Sequence, residues 1–441
     1  MHTTRILALA IVITSAGLSA QTVGAPWTTP TQTEVDAIYP DIEALYMDLH
    51  RNPELAFQET RTAAVLAARV KALGFEVATA VGRTGIVAVL RNGAGPTVML
   101  RTELDALPVE EKTGLPFASS LVAKNAAGQM VPVMHACGHD LHMAAWAGTA
   151  RLMTQHRDRW RGTLVMVGQP AEEGGGGASA MLNDGLFTRF PRPDFALSLH
   201  DDDTMPAGTI GYHPGFFRAM SDSVTITVYG RGGHAAMPHN TIDPVVLAAR
   251  IVLSLQTIVA RENNPIDPVV ITIGSIHGGT QANIIPDEVR LQLSVRTYTP
   301  AIRTRTLAAI RRVARGEAIA AGAPREPQVD APANAGAPVY NDPTLTLRLA
   351  GALKKGLGEK EVIEMPQKMT SEDFAQYGLA GVPSTLLHIG AVDPAKLAAS
   401  RDTGIPVPAP HSPEWAPAVE PTLKAAVRAE VTALLELFRG N

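Results

Sequence analysis

Nine residues, Met134-His135-Ala136-Cys137-Gly138-His139-Asp140-Leu141-His142, constrain this chain more than any other stretch. They hold its single cysteine and three of its thirteen histidines. A thiolate and an imidazole separated by one glycine can point at the same ion. Soft sulfur with borderline nitrogen suits Zn or another first-row transition metal. A buried thiol beside a core histidine is the plainer reading of either residue alone. The density of donors around Gly138, followed by Asp140 as an expected N-cap and a helical run over 141–153, favours ligands. A mononuclear site needs three or four protein ligands, so the others must come from elsewhere in the chain.

Arg5 is followed by an apolar run from Ile6 to Leu18 and a small residue at Ala20. Residues 1–20 therefore read as a secretory signal peptide, too short to span a membrane comfortably. The expected protein is exported, periplasmic or secreted, with no membrane attachment after cleavage. A net charge of −4 argues against a nucleic-acid or anionic-membrane partner. One cysteine permits no intramolecular disulfide, and a lone thiol in an oxidising compartment is a liability unless it is buried or metal-bound.

Apolar strand-like runs stand at 86–90, 97–100, 164–167 and 195–199, and the last three lead to chemistry-bearing residues. Glu103 and Asp105 follow the second, Glu172 and Glu173 the third, and His200 with Asp201, Asp202 and Asp203 the fourth. Asp201 to Asp203 read as loop beyond a strand end, forming an acidic rim. Helices are expected over 41–73, broken at Asn52-Pro53. In open α/β sheets functional residues collect at the carboxyl ends of strands, so groups far apart in sequence can share one crevice. The four glycines after Glu173 form no phosphate loop, because the Gly-Lys-Ser/Thr ending is missing. No Gly-x-Ser-x-Gly is present for a serine hydrolase.

From Phe216 the pattern changes to strand, helix, strand, strand, helix and a possible strand near 327–329, a split βαβ arrangement. The expected organisation is a catalytic α/β domain in two parts, 31–215 and 333–441, with an inserted ferredoxin-like α+β domain at 216–332. A stretch rich in Ala, Pro and Gly, 321–338, returns the chain to the first domain.

From His50-Arg51-Asn52-Pro53-Glu54-Leu55 to His411-Ser412-Pro413 the chain resembles the di-metal amidohydrolases that include aminoacylase, carboxypeptidase G, hippurate hydrolase and the auxin-conjugate hydrolases, most of all the last two. His-Ala-Cys-Gly-His-Asp carries the resemblance. Glu172-Glu173-Gly174, Gly232-Gly233-His234-Ala235, Asn283-Ile284-Ile285-Pro286 and Ser371-Glu372-Asp373-Phe374 follow in the family order. The resemblance implies a zinc-peptidase-like catalytic domain with a lid and dimerisation domain. It implies two divalent transition-metal ions of the Zn, Mn, Co or Ni class, held by Cys137, His139, Glu173, His200 and His411. It makes Glu172 the general base and Asp105 an acid that orients a metal ligand. His234 and Asn283 would handle the scissile carbonyl and the substrate carboxylate from the lid, often across a dimer interface, with Arg296 assisting.

The sequence departs from the family at Glu103, where close relatives carry Asp, at Thr370 in place of Gly, and in the Asp201 to Asp203 run. The implied reaction is hydrolysis of small N-acyl amino acids, hippurate-like or similar, by a metal-activated water. A metallo-carboxypeptidase or dipeptidase is the alternative enzyme. A periplasmic binding protein on the same scaffold would have lost ligands or the base, and every such position here is filled by a competent residue.

Overall fold

The computed structural model of the chain describes residues 28–332 and 336–439. The leader reading of residues 1–20 lies outside them, as do three residues of the stretch that returns from the inserted domain.

An eight-stranded mixed sheet forms the catalytic body. Its order is Glu76–Val81, Gly85–Asn92, Gly162–Gln169, Thr97–Glu103, Phe195–Pro206, Ser384–Val392, Ile210–Tyr212 and Val362–Glu364. The central strands are apolar nearly throughout because both faces are covered. Ile86, Ala88, Leu90, Val98, Leu100, Leu197 and Leu199 face one helical layer, while Val87, Val89, Met99, Val165, Val167 and Ala196 face the other. Successive side chains of a strand point to opposite faces, so one run of hydrophobic residues feeds two cores.

The first layer is built on the helix His139–Gln155, buried on nearly every side. The helices Gln32–Arg51 and Val419–Phe438 pack against it. Gln32–Arg51 starts on a capping box, with Thr31 and Glu34 exchanging side-chain and backbone hydrogen bonds. The expected N-cap at Asp140 is corrected. Gly138 caps the helix in the left-handed region, and Asp140 sits in its first turn. The Asp140 carboxylate lies 2.6 Å from Nδ1 of the buried His50.

The inserted unit is a second, separate sheet ordered Val270–His277, Glu288–Thr297, Met220–Tyr229 and Gln328–Asp330, all pairings antiparallel. Pro244–Thr257 follows Met220–Tyr229 and Pro300–Ala320 follows Glu288–Thr297, giving in chain order the ferredoxin-like succession strand, helix, strand, strand, helix, strand. Asp243 and Thr299 cap these helices, each with proline at the first helical turn. Val224, Ile226, Leu291 and Leu293 pack with Leu247, Ile251, Leu255 and Ile310 into the lid's own core. Where the chain enters and leaves the lid, Gly215–Arg218 pairs antiparallel with Val339–Asn341.

Candidate metal centre and active site

Two parallel pairings build the site edge. Thr97–Glu103 pairs with Gly162–Gln169 so that Glu103 lies opposite Gln169, and with Phe195–Pro206 so that Arg101 lies opposite Ser198. Asp105 and the Glu172-Glu173 turn therefore leave the ends of two neighbouring strands beside His200, which lies within the third. The loop before the buried helix brings in Cys137 and His139. Between them Gly138 has φ 73°, and a Cβ at that position would lie 2.3 Å from the Asp201 carboxylate. Only glycine fits both the conformation and the space.

The Sγ of Cys137 lies 3.6 Å from Nε2 of His200. His200 turns Nδ1 to the carbonyl of Asp201, at 2.8 Å. His139 turns Nδ1 to the carbonyl of Asp105, also at 2.8 Å, and its Nε2 is buried with no hydrogen-bond partner. Oε1 of Glu173 is likewise buried without a hydrogen bond, 3.0 Å from Nε2 of His411. His411 arrives on a loop whose backbone N–H donates 2.7 Å to the carbonyl of Ala136, tying the C-terminal segment to the cysteine loop. The donor atoms form two groups, Cys137, His139, His200 and Cys137, Glu173, His411, each with all atoms within 4.8 Å of one another. Cys137 is common to both.

Buried polar atoms without partners are costly, and a native site keeps them for a ligand. The pattern fits divalent first-row transition ions: one sulfur, imidazoles anchored through their far nitrogens, and a carboxylate with a free oxygen. Burial, reinforced by the charges of Glu173 and Asp201, holds the Cys137 thiol well above its ordinary range, so a cation is what would bring it to thiolate. Burial opposes charge on His139, but the hydrogen bond to Asp105 and the charges of Glu103 and Asp105 lift it to about 10.

Asp105 is the joint of the site. Its Oδ1 accepts from the Glu172 amide at 3.0 Å and its Oδ2 from the Glu173 amide at 2.9 Å. Oδ1 also lies 3.5 Å from Nδ1 of His139. The carboxylate thus fixes the glutamate turn, and the backbone carbonyl of the same residue fixes the imidazole. Glu172 lines the crevice. Burial, then the nearby charges of Glu372, Glu173 and Asp373, pushes its carboxyl well above the usual carboxylate range.

The crevice, about 610 Å³, brings Cys137, Glu172, Glu173, His200 and His411 together with Arg296. It does not include His234 or Asn283. Those two lie side by side on an exposed part of the lid, where His234 pairs with Ile284 and the Ala235 amide donates to the Asn283 carbonyl. The loop reading of the three aspartates is corrected, although Asp201 and Asp203 do line the crevice. Phe195–Pro206 continues as strand through all three aspartates, and Asp201 and Asp202 are buried. Asp201 is 3.0 Å from His200 Nδ1 and accepts from Trp415 Nε1 at 3.2 Å. Asp202 accepts from His388 Nδ1 at 2.7 Å and from Lys368 Nζ at 2.5 Å. Glu103 belongs to a different assembly, paired with the fully buried Arg101 and lying 3.1 Å from His142 Nδ1. Arg101 also binds Glu372 at 2.8 Å and Asp373 at 3.1 Å, which seats the Ser371-Glu372-Asp373 segment.

Sequence reasoning missed Arg218, Lys368 and His388, which line the same crevice. His388 stands directly across from His200 on the neighbouring parallel strand. Only that strand pairing reveals it, and no local pattern in the sequence marks any of the three.

A mixed sheet carrying thiol, imidazole and carboxylate donors at one edge, with a second glutamate beside them and a lid domain, defines a metal-dependent amide hydrolase. The profile of Peptidase family M20/M25/M40 matches residues 99–409, and the chain belongs to that family. It is 35% identical over 343 residues to the N-acetyl-L-cysteine deacetylase of Bacillus subtilis, covering 78% of each chain. It is 35% identical over 359 residues to the N-acetyldiaminopimelate deacetylase of Leuconostoc citreum, covering 80% of this chain and 88% of that one. A solved structure from Bacillus subtilis, described as a dinuclear metal-binding peptidase of the M20 family, superposes with a TM-score of 0.73 at 27% identity, over 92% of this chain and all of that one.

Proposed function

We propose that this amidohydrolase cleaves small N-acyl amino acids, hippurate-like or similar conjugates, with Glu172 as general base. The observation that carries the reading is a carboxylate one residue from a ligand candidate, in a turn held by Asp105, beside two donor groups that share a thiol. The two deacetylase relatives, both named for N-acetyl amino acids, support the substrate class.

Cys137, His139, His200, Glu173 and His411 would hold two divalent ions of the Zn, Mn, Co or Ni class. Such ions would acidify an attacking water and polarise the amide carbonyl. The remaining work falls to the chain. Glu172 takes the proton from the water and delivers it to the departing amine. Asp105 keeps the Glu172 turn and His139 in register through three short contacts. Arg296, which donates 3.0 Å to the Ser371 hydroxyl from the lid strand, receives the carboxylate of the amino acid. His234 and Asn283 lie outside the crevice of their own chain, and we assign them to the carbonyl and carboxylate of a substrate bound by a second copy in a homodimer. The reading also places the mature enzyme outside the cytoplasm, with the leader removed near Ala20. N-terminal sequencing of exported protein checks that point.

The test is turnover of N-acetyl and N-benzoyl amino acids against dipeptides by metal-loaded protein, repeated with Glu172→Gln. N-acyl amino acids should be cleaved fastest. The variant should keep its metals and lose about 10²–10⁴-fold in kcat. Preference for dipeptides would make the protein a peptidase, and full turnover by Glu172→Gln would reassign the base.

A further inference from the structure

Glu59 stands just before the helix Thr60–Ala72 and is fully buried. It occupies the N-cap position, yet its side chain makes no capping hydrogen bond. Its carboxylate is engaged elsewhere. Oε1 accepts from two backbone amides, those of Phe57 and Ala171, each at 2.8 Å. Oε2 accepts from the hydroxyl of Thr84.

The two amides share a second property. Phe57 has φ 60° and Ala171 has φ 49°, which makes them two of the five non-glycine residues in the left-handed region among the described residues. That conformation presses the Cβ of an L-residue against the following carbonyl, and it persists only where surrounding contacts over-determine it. The buried acceptor at the Ala171 amide is such a contact.

Ala171 immediately precedes Glu172. Three successive amides therefore end on carboxylates, that of Ala171 on Glu59 and those of Glu172 and Glu173 on Asp105. Further along, the Ala178 amide donates 2.9 Å to Oδ2 of Asp373. The chain between is tightly folded. The Gly177 amide donates 3.3 Å to the Ala171 carbonyl, and a Cβ at Gly177 would lie 1.6 Å from the Pro170 carbonyl oxygen. The direction in which this turn leaves the sheet is set at Ala171. Rotation of Ala171 to the right-handed region would swing the Glu172 amide away from Asp105 and carry the Glu172 side chain with it.

We propose that Glu59 is a positioning residue for the proton-transferring carboxylate, locking Ala171 in the left-handed region and so aiming Glu172 into the crevice. This rests on the reading of Glu172 as general base. The hydrogen bonds of Glu59 reach no ligand candidate, so it acts through one backbone dihedral.

The test uses full-length, metal-loaded protein and an N-acetyl amino acid as substrate. Glu59→Ala should lower kcat about 10²-fold, the cost of a reacting group displaced by about 1 Å, with KM little changed. Glu59→Gln should rescue most of that loss, because its amide oxygen accepts as before and its N–H can donate to the Thr84 hydroxyl. Ala171→Gly added to Glu59→Ala should recover about ten-fold, because glycine adopts the left-handed conformation unaided. A general packing defect would not respond to that second substitution. Hydrogen exchange reads the turn without turnover. A peptide covering 170–178 should exchange faster in Glu59→Ala than in wild type, and no faster in Glu59→Gln. If Glu59→Ala does not fold, Glu59→Asp, one methylene shorter, withdraws the acceptor and should show the same loss and the same recovery. Wild-type kcat or unchanged exchange in the truncated variant overturns the proposal. So does a loss in Glu59→Gln as large as in Glu59→Ala, or a loss that Ala171→Gly leaves untouched. Failure of the base reading shows separately, as full turnover by Glu172→Gln, and leaves the exchange of the turn legible.

Discussion

The Sγ of Cys137 and Nε2 of His200 stand 3.6 Å apart, drawn together across 63 residues by the meeting of a helix-capping loop and a sheet strand. Burial favours the neutral form of both groups, and a cation held between them would bring the thiol to thiolate. Cys137→Ser keeps the size and replaces a soft donor with a hard, poorly ionised hydroxyl. Metal content by elemental analysis and hydrolytic activity are expected to fall together. Protein that keeps both would leave Cys137 a packing residue.

Asp105 makes a sharper prediction because its two oxygens serve two amides at once. Asn in its place keeps one acceptor and turns an N–H against the other amide. Groups that orient metal ligands typically contribute 10–100-fold in affinity or activity. Asp105→Asn should lose metal to a chelator at least ten-fold more readily than wild type, with little change in the far-ultraviolet spectrum. Unchanged metal affinity would separate Asp105 from His139.

Glu430, on the C-terminal helix, links stability to pH. Burial raises its carboxyl from the ordinary 4.5 to about 8, partly offset by the Thr149 hydroxyl at 2.6 Å. The unfolded chain releases this proton near 4.5 and the folded chain keeps it until about 8. The stability contributed by protonated Glu430 is therefore complete below the unfolded value and is lost as pH rises through that window, by at most about 1.4 kcal/mol per pH unit. Glu430→Gln should melt higher than wild type at pH 8 and no higher near pH 4.5. A pH-independent difference in Tm would show that the carboxyl is already ionised in the fold.

His234 tests the second copy. His234→Ala should keep its fold and metals and lose about 10²–10³-fold in kcat, the usual cost of removing one oxyanion donor. Mixing it with Glu172→Gln should recover activity in hybrid dimers, where one site regains both groups. Subunit exchange without recovery would confine His234 to its own lid.

Much of this architecture is legible in the sequence, and the reason is local. The Cys-Gly-His loop, the paired glutamates and the apolar runs before them are short-range patterns, and the lid announces itself by its alternating strands. What stayed hidden depends on register. Asp201 and Asp202 look like solvated loop because acid-rich runs beyond a strand usually are. The strand continues instead, since Trp415 and His388, more than 180 residues later, supply their partners. The buried pairing of Arg101 with Glu372 crosses 271 residues and leaves no trace in either neighbourhood. The one local misreading, Asp140 as a cap, arose because an aspartate before an apolar run fits a capping rule. Gly138 had already turned the chain, and Asp140 is held by His50.

Arg218 and Val339 face each other as closing partners of the short ribbon where the chain leaves and re-enters the catalytic body. In topological terms residues 219–338 are a cassette spliced into the tip of a hairpin. A two-residue Asn-Gly turn of the kind that closes such hairpins would bridge the same gap. The catalytic body should therefore be obtainable as a shortened chain of its own, and the same junction should accept a foreign domain whose termini lie one strand spacing apart.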